Sequence, residues 1–228
     1  MPRFVLPPKG HLTPNNAVDP LRYYYHPLVG VLFRQRLQVG LDLLPGRSQR
    51  LLEVGYGSGL LLPTLAQAAD EVYGVDREPP PPGVRERLLQ LGCVPRELGT
   101  ADVTATPFAD SYFDGVVAFS IFEHLRAPEL LLAAKELARI LRPGGFVLIG
   151  CPAVHPLMNA AFAAIGFRGI EDHHVSSIHD VIREFSAHFE LAQSATLPWM
   201  PPALGRTALS LALYSAVRLR KKTEPAPC

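Results

Sequence analysis

The feature that constrains this chain most is a glycine-rich turn directly after a short apolar segment. Residues 51–54 are apolar except for Glu53, and they lead into glycines at positions 55, 57 and 59, after which a helical pattern begins. Glycine adopts positive φ angles without strain and lets a ligand approach the backbone closely. A strand that ends in such a turn before a helix predicts a cofactor loop at the carboxyl edge of an open α/β sheet.

The rest of the chain alternates short apolar runs with helical spacing, which is typical of βαβ units and a mostly parallel sheet. One helix or two short ones are expected over 21–44. Further strands are predicted at 50–54, 71–75, 96–99, 115–120 and 146–150, and helices at 60–69, 84–91 and 128–141. Residues 142–145, Arg-Pro-Gly-Gly, are expected to form the turn that ends the last of these helices. The fourth strand is almost entirely apolar, as expected for a central strand that is covered on both faces.

The pattern loosens after Pro152. An insertion rich in Pro, His and Ala extends to about residue 177, and a helix over 179–187 and a strand over 189–197 are expected to follow. Residues 209–219 alternate apolar side chains with a period of two, which predicts a closing strand. The same stretch ends in basic residues, so an interfacial helix on an anionic membrane is the alternative.

Three positions indicate the chemistry of the cofactor. Leu60 stands where the dinucleotide fingerprint requires its third glycine, which weakens the alternative of an NAD(P)-dependent oxidoreductase. Glu53 would repel a diphosphate and attract a cationic amino-acid ligand. Asp76 ends the second strand about 20 residues after the loop, where a carboxylate can accept hydrogen bonds from both ribose hydroxyls. Asp102 is either an adenine ligand, with the backbone N–H of Val103, or a capping residue.

Composition narrows the partners and the compartment. The formal net charge of +1 gives no overall attraction to nucleic acid. The three cysteines are widely spaced and fit neither a disulfide framework nor a CxxC metal site, and the first residues lack the apolar stretch of a signal peptide. No window approaches the roughly 18 apolar residues needed to cross a bilayer. We therefore expect a cytoplasmic protein.

Six segments occur in an order that identifies a family resemblance. They are Glu53–Gly59, Gly74–Asp76, Ala101–Asp102, Phe113–Val117, Phe119–Leu125 and Leu141–Gly145. Together they resemble the class I S-adenosylmethionine-dependent methyltransferases, specifically the small ubiquinone- and menaquinone-methylating enzymes of the methyltransferase type 11 group. The resemblance covers about residues 20–155. It implies a Rossmann-like, seven-stranded, mostly parallel sheet with helices on both faces, and S-adenosylmethionine as the methyl donor.

The resemblance also implies roles for individual residues. The residues expected to bind the cofactor are Glu53, Gly55, Tyr56, Gly57, Gly59, Asp76, Arg77, Asp102, Val103 and Ser120. Among them, Asp76 would hold the ribose, Asp102 and Val103 the adenine, and Ser120 would line the sulfonium side. We expect one domain over 1–228, with a lead and cap helix at 1–45, a cofactor-binding core at 46–150, a substrate-side insertion at 151–187, and closing strands with a basic tail at 188–228.

Histidines are the candidate bases. Methyl transfer from a sulfonium is an in-line displacement, which an enzyme assists mainly by positioning and desolvation. A hydroxyl or carbon-acid acceptor also needs a base, and the pKa of histidine lies near neutrality. We select His124 and His174 from a group that also contains His155 and His173, although a histidine in the turn of His124 is more often a structural cap than a base. Further metal-ligand spacing is missing around 173–174, so no metal is predicted.

The acceptor is predicted to be small and apolar. No proline-rich tetrapeptide of the amine-selecting type follows the fourth strand, which favours O- or C-methylation over N-methylation. The side chains expected to line the acceptor pocket are Phe122, Ile165, Phe167, Leu197 and Trp199. Tyr23, Tyr24 and Tyr25 form either an aromatic lid or part of the core. A non-catalytic regulatory module that binds S-adenosylmethionine is an alternative function, and peripheral membrane contact through the C-terminus is a further possibility.

Overall fold

Seven strands form the central layer and determine where the loops emerge. The computed structural model describes residues 1–17, 19–152, 174–198 and 212–223. The strands are β1 (Ser48–Val54), β2 (Ala69–Asp76), β3 (Glu97–Thr100), β4 (Phe113–Phe119), β5 (Leu141–Pro152), β6 (Phe189–Pro198) and β7 (Ala212–Lys221). They lie in the order β3-β2-β1-β4-β5-β7-β6. β7 is antiparallel to both of its neighbours, and the other pairs are parallel, so the predicted mostly parallel sheet is confirmed.

Helices cover both faces of this sheet. They are α1 (Leu21–Tyr24), α2 (Val29–Leu41), α3 (Leu62–Leu65), α4 (Val84–Gln90), α5 (Ala127–Ile140) and α6 (Ile178–Phe185), with a 3₁₀ turn at Phe122–His124. Successive residues of a strand point to opposite faces. Val116 therefore packs with α5 and α6, whereas Val117 packs with α2, α3 and α4. The resulting three layers match the predicted sandwich.

Two element boundaries differ from those predicted. The helix expected over 60–69 is limited to α3, because Ala69 already pairs with Ser48 as the first residue of β2. Residues 142–145 were expected as a turn, but they belong to β5, which begins where Leu141 pairs with Phe113. The register shifts before the next pair, and Gly144 has a φ of +74°. A glycine in this conformation lets the strand bulge without breaking the ladder.

The C-terminal segment is a strand where the structure describes it. β7 is hydrogen-bonded to β5 on one side and β6 on the other, so residues 212–221 do not form the alternative interfacial helix. Residues 209–211 of the predicted strand lie outside the described ranges. Among the residues that are described, no helix has the length and apolarity needed to span a membrane.

The described residues of the N-terminal lead before α1 are irregular and pack across the helices. The backbone N–H of Phe4 donates to the Gln38 side chain on α2 (2.8 Å), and that of Val5 donates to the Thr64 hydroxyl on α3 (3.0 Å). Leu12 is buried in the same apolar cluster as these helices. The lead therefore forms part of the layer that lies over β1 and β2.

The three consecutive tyrosines anchor this region. Tyr24 is only 3% exposed and packs edge-on against Phe33, which favours the core alternative over the lid for this residue. Tyr23 stacks on the same ring, and the Tyr25 hydroxyl donates to the carbonyl oxygen of Pro7 (2.9 Å).

Candidate active site

The glycine loop lies at the carboxyl end of β1. Gly55, Gly57 and Gly59 have φ values of +75°, +50° and +82°, which other residues adopt only with strain. The N–H of Gly57 donates to the Asp76 carboxylate (2.8 Å), and the N–H of Gly55 donates to the carbonyl oxygen of Val75 (2.7 Å). The loop is thereby attached to the end of β2, and Asp76 is brought to the position that the sequence predicts.

Buried acidic groups surround this loop. Glu53 is 6% exposed, and its Oε2 has no hydrogen-bond partner among the described residues. Burial, and then the nearby charge of Asp76, raise the pKa of the Glu53 carboxyl well above its ordinary value. The Tyr56 hydroxyl is also buried and has no partner in the described ranges, and burial, followed by the charges of Asp76 and Glu53, raises its pKa to about 12. A ligand that carries positive charge would satisfy such a site.

Asp19 is a further acidic residue at the loop that the sequence analysis missed. Its Oδ2 lies 3.5 Å from the position that a Cβ on Gly57 would occupy. The backbone N–H groups of Asn15 and Leu21 both donate to this carboxylate (2.9 Å each), which fixes the end of the lead above the loop. Only the folding of the lead over β1 places Asp19 here, and its sequence neighbourhood contains no motif that indicates it.

The remaining predicted nucleoside ligands lie beyond β2 and β3. Arg77 and Asp102 are exposed, and the positive charge of Arg77 is one of the causes that lower the pKa of Asp102. The largest cause is the Thr104 side chain, whose hydroxyl donates to Asp102 (2.6 Å), as does the Thr104 N–H (2.8 Å). The capping alternative for Asp102 therefore describes its present contacts. Val103 is buried in the core, and adenine binding by either residue stays a prediction.

Ser120 directly follows β4 and has a strained conformation. Its φ is +59°, which is uncommon for a residue with a side chain, and its N–H donates to the carbonyl oxygen of Gly150 (2.7 Å). The hydroxyl is buried and has no hydrogen-bond partner within the described part of the chain. Strain that the surrounding structure maintains is typical of functional sites.

A buried polar cluster, which we call the inner polar cluster, lies beside Ser120. It contains Arg36 of α2, Glu123 of the 3₁₀ turn, Cys151 of β5 and Tyr214 of β7. Both oxygens of Glu123 and the hydroxyl of Tyr214 lack hydrogen-bond partners in the ranges that the structure describes. Burial raises the pKa of the Glu123 carboxyl to about 7, although its own backbone N–H, the charge of Arg36, and the Cys151 and Ser120 side chains act in the opposite direction. No sequence motif predicts this cluster, because its members come from four elements that are far apart in the chain.

A small, mostly apolar cavity adjoins the inner polar cluster. Its lining consists of Leu32, Phe33, Arg36, Pro152, Leu197, Leu213 and Tyr214. Leu197 was predicted to line the acceptor pocket and does line this cavity. Phe122 was predicted there as well, but it is fully buried against Phe185 in the core. Ile165, Phe167 and Trp199 lie outside the described residues.

The two selected histidines lie together. The rings of His124 and His174 have centroids 5.2 Å apart, and donor atoms from Glu123 and these two residues lie within 4.8 Å of one another. His124 is exposed and His174 is half-buried. His155 and His173 lie outside the described ranges. The structure thus joins the two candidate bases to a carboxylate that the sequence analysis did not select, and the absence of a metal stays a prediction.

Fold and site together define the class of protein. An open sheet with a glycine loop after β1 and an acidic residue after β2 forms a nucleoside-cofactor site at the carboxyl edge of the strands. The unpartnered Glu53 and the surrounding carboxylates fit a cofactor with positive charge, as S-adenosylmethionine has.

Comparison with known proteins narrows this class to a family. Residues 52–149 match the methyltransferase domain family. A ubiquinone biosynthesis O-methyltransferase of Azorhizobium caulinodans is 30% identical over 147 residues, which cover 62% of this chain and 54% of that protein. A phosphatidylethanolamine N-methyltransferase of Cereibacter sphaeroides is 36% identical over 105 residues, which cover 45% of this chain and 50% of that protein. The chain spans about half the length of these curated relatives.

Solved structures support the same assignment at the level of the fold. The N-methyltransferase NodS of Bradyrhizobium japonicum WM9, in complex with S-adenosyl-L-homocysteine, has a TM-score of 0.61 at 18% identity. The alignment covers 90% of this chain and 93% of NodS. The predicted resemblance to the class I S-adenosylmethionine-dependent methyltransferases is confirmed.

Proposed function

We propose that the chain transfers a methyl group from S-adenosylmethionine to an oxygen atom of a small, largely apolar acceptor. The observation that carries the proposal is the unpartnered Glu53 carboxylate beside Asp76 and the three glycines with positive φ. Several curated relatives are ubiquinone biosynthesis O-methyltransferases, which favours oxygen over nitrogen as the methylated atom. The match to a methyltransferase family does not favour the oxidoreductase alternative.

The residues of the chain would act mainly by positioning. Asp76 would exchange its hydrogen bond with Gly57 for the ribose hydroxyls, and Glu53 would face the positive charge of the methionine part. The cofactor, when bound, supplies a methyl group on a sulfonium. Ser120, at the end of β4, would orient the reacting groups, and the surrounding apolar residues would exclude water.

The acceptor side is proposed at the cavity next to the inner polar cluster. Leu32, Leu197 and Leu213 offer apolar contacts to a ring or chain, while the Tyr214 hydroxyl offers a polar contact. This combination suits a phenolic or similar acceptor that has one polar group on an apolar body. His124 and His174 are the proposed bases, and deprotonation of the acceptor hydroxyl accompanies methyl transfer to its oxygen.

Two measurements test the proposal. Calorimetric titration with S-adenosylhomocysteine is expected to give micromolar binding, and the absence of binding to folded protein would overturn the cofactor assignment. Transfer of labelled methyl from S-adenosylmethionine is then measured on a panel of catechols, hydroquinones and aliphatic amines. We expect turnover on the phenolic acceptors. Equal or faster turnover on polar amines would remove the O-methylation proposal, and binding without turnover on any acceptor would favour the regulatory module.

A further inference from the structure

The carboxylate of Glu123 has an unusual environment for an ionisable group. The residue is 0% exposed, and neither carboxylate oxygen has a hydrogen-bond partner among the described residues. A buried carboxylate without hydrogen bonds is costly unless positive charge compensates it. Arg36 is one such positive charge and acts to lower the Glu123 pKa, although its guanidinium donates its hydrogen bond to the Tyr24 hydroxyl (2.9 Å). The imidazoles of His124 and His174 also lie close to the carboxylate, with donor atoms within 4.8 Å.

The backbone holds His174 in this position. The N–H groups of Val175 and Ser176 donate to the carbonyl oxygen of Glu123 (2.8 and 3.1 Å). The Ser176 hydroxyl donates to the carbonyl oxygen of Leu125 (2.6 Å). Three hydrogen bonds thus tie the chain immediately after His174 to the 3₁₀ turn that contains Glu123. The imidazole and the carboxylate are neighbours because the backbone fixes them, and their pairing costs little further ordering of the chain.

We propose that Glu123 is a positioning residue that orients the imidazole of His174 and stabilises its protonated form, and that His174 is the base for a hydroxyl acceptor. This inference rests on the proposed function. In the reaction, a lone pair of the acceptor oxygen forms the new bond to the methyl carbon while the carbon–sulfur bond breaks and its electron pair stays on sulfur. The acceptor proton moves to His174.

The change in charge during the reaction gives the Glu123 carboxylate its role next to His174. The reaction turns a sulfonium into a neutral thioether and a neutral imidazole into an imidazolium, so one positive charge is transferred to the side chain next to Glu123. A carboxylate within 4.8 Å in a poorly solvated environment favours that charged product. Glu123 performs this role only when it is ionised. Because its pKa is raised to about 7, the carboxylate form predominates above neutral pH.

The groups that titrate or carry charge around Glu123 come from several elements. Arg36 faces it from α2, Cys151 from β5 and Tyr214 from β7, and donor atoms of His124 and His174 lie within 4.8 Å. Burial and the charge of Glu123 raise the pKa of the Cys151 thiol well above its ordinary value. Burial likewise raises the pKa of the Tyr214 hydroxyl well above its ordinary value, although the charge of Arg36 acts in the opposite direction. The thiol and the hydroxyl therefore stay neutral, and the imidazoles are the titrating neighbours of the carboxylate near neutrality.

The experiment compares wild type, Glu123→Gln and Glu123→Asp, with His179→Gln on the exposed face of α6 as a matched histidine control. Each protein is titrated with S-adenosylhomocysteine, and its histidine side chains are titrated by NMR in that complex. We expect unchanged cofactor affinity in all variants and a wild-type His174 pKa above the ordinary 6.5 or so. Glu123→Gln should lower the His174 pKa by about one unit or more, and Glu123→Asp should restore part of it.

Kinetics add a second readout. On a phenolic acceptor, Glu123→Gln should reduce kcat by about 100-fold with little change in KM, and the rise of kcat with pH should move along with the His174 titration. A His174 pKa at or below 6.5 in the wild type, or one unchanged in Glu123→Gln, would overturn the inference. Loss of turnover on chelation with EDTA and its return with Mg²⁺ or Zn²⁺ would also overturn it. If the wild type methylates no acceptor, the proposed function fails, while the NMR titration still decides the inference.

Discussion

The N–H of Gly57 donates a 2.8 Å hydrogen bond to the Asp76 carboxylate, which attaches the glycine loop after β1 to the end of β2. The same carboxylate is the proposed acceptor for the ribose hydroxyls. The N–H of Glu78 donates to the other oxygen of the same carboxylate (2.9 Å). Asp76 is thereby oriented in the free protein. A ligand that displaces the Gly57 bond finds the carboxylate already pointing towards the loop, which reduces the ordering cost of binding.

Replacing Asp76 with alanine should weaken S-adenosylhomocysteine binding by about 10- to 100-fold, because one or two charge-assisted hydrogen bonds are lost. Calorimetry measures the change directly. Asp70→Ala is the matched control, since Asp70 lies on the same strand, is exposed, and pairs with Arg47 (2.8 Å) away from the loop. Equal affinity in wild type and Asp76→Ala would mean that the ribose lies elsewhere.

Gly57→Val should abolish measurable binding of S-adenosylhomocysteine. A β-branched side chain at φ +50° strains the backbone by about 1–2 kcal/mol and would project towards Asp19 at the mouth of the loop. Gly144→Val imposes a similar strain at φ +74°, where a Cβ has no neighbour within 4 Å. Both variants should lose comparable stability in urea unfolding, but only Gly57→Val should lose binding. Loss of binding in both would assign the effect to the backbone strain alone.

The sequence predicted those parts of the fold and site that are encoded by consecutive residues. The glycine loop, Asp76 and the apolar β4 could be predicted because consecutive residues carry the pattern. The closing strand β7 could be predicted from its alternation. The inner polar cluster could not, because Arg36 is one charged residue on an otherwise ordinary helix and Tyr214 one aromatic residue on a strand. Only the packing of α2 against β5 and β7 brings them to Glu123.

Glu123 itself shows how the context determines the role of a residue. It lies next to His124 in the segment 119–125 that resembles the family, yet the sequence did not reveal that it is completely buried. Asp102 shows the converse. It was selected as a ligand, and its observed contacts are those of a local turn with Thr104.

Glu123→Gln should change how stability depends on pH. The folded-state pKa of about 7 lies above the ordinary 4.5, so between these values the native state binds more protons than the unfolded state. Stability that wild type has below pH 4.5 is therefore lost as the pH rises through 7, by about 3 kcal/mol at most. Gln cannot ionise and lacks this loss. Urea unfolding at pH 5 and pH 8 measures this difference. The free energy of unfolding of Glu123→Gln, relative to that of wild type, should be higher at pH 8 than at pH 5.

The exposed Glu190→Gln variant controls for surface charge. Glu190 pairs with Arg220 on the neighbouring strand β7 (2.5 Å), so its replacement should give no comparable gain between the two pH values. If wild type and Glu123→Gln differ in free energy of unfolding by the same amount at pH 5 and pH 8, the Glu123 carboxyl titrates in the folded state at its ordinary pKa.

Gly150 links the sheet to the inner polar cluster. A Cβ at this position of β5 would collide with the hydroxyl end of the Tyr214 ring, so the absence of a side chain is what lets that hydroxyl lie across the strand. Gly150→Ala should destabilise the protein by about 1–3 kcal/mol through overpacking. It should also reduce turnover by displacing the Tyr214 hydroxyl, while the affinity for S-adenosylhomocysteine stays unchanged.

Gly115→Ala separates these two effects. A Cβ on Gly115 of β4 would collide with the Phe146 ring, which also lies across a strand but packs in an apolar cluster that does not include Tyr214 or Cys151. The two alanine variants should therefore lose similar stability, measured by urea unfolding, and differ in kcat. If kcat falls equally in both at a temperature where both are folded, overpacking of the sheet explains the loss and Tyr214 has no separate role on the acceptor side. A larger fall in Gly150→Ala means that the position of the Tyr214 hydroxyl matters for turnover, because the sheet is perturbed to the same extent in the control.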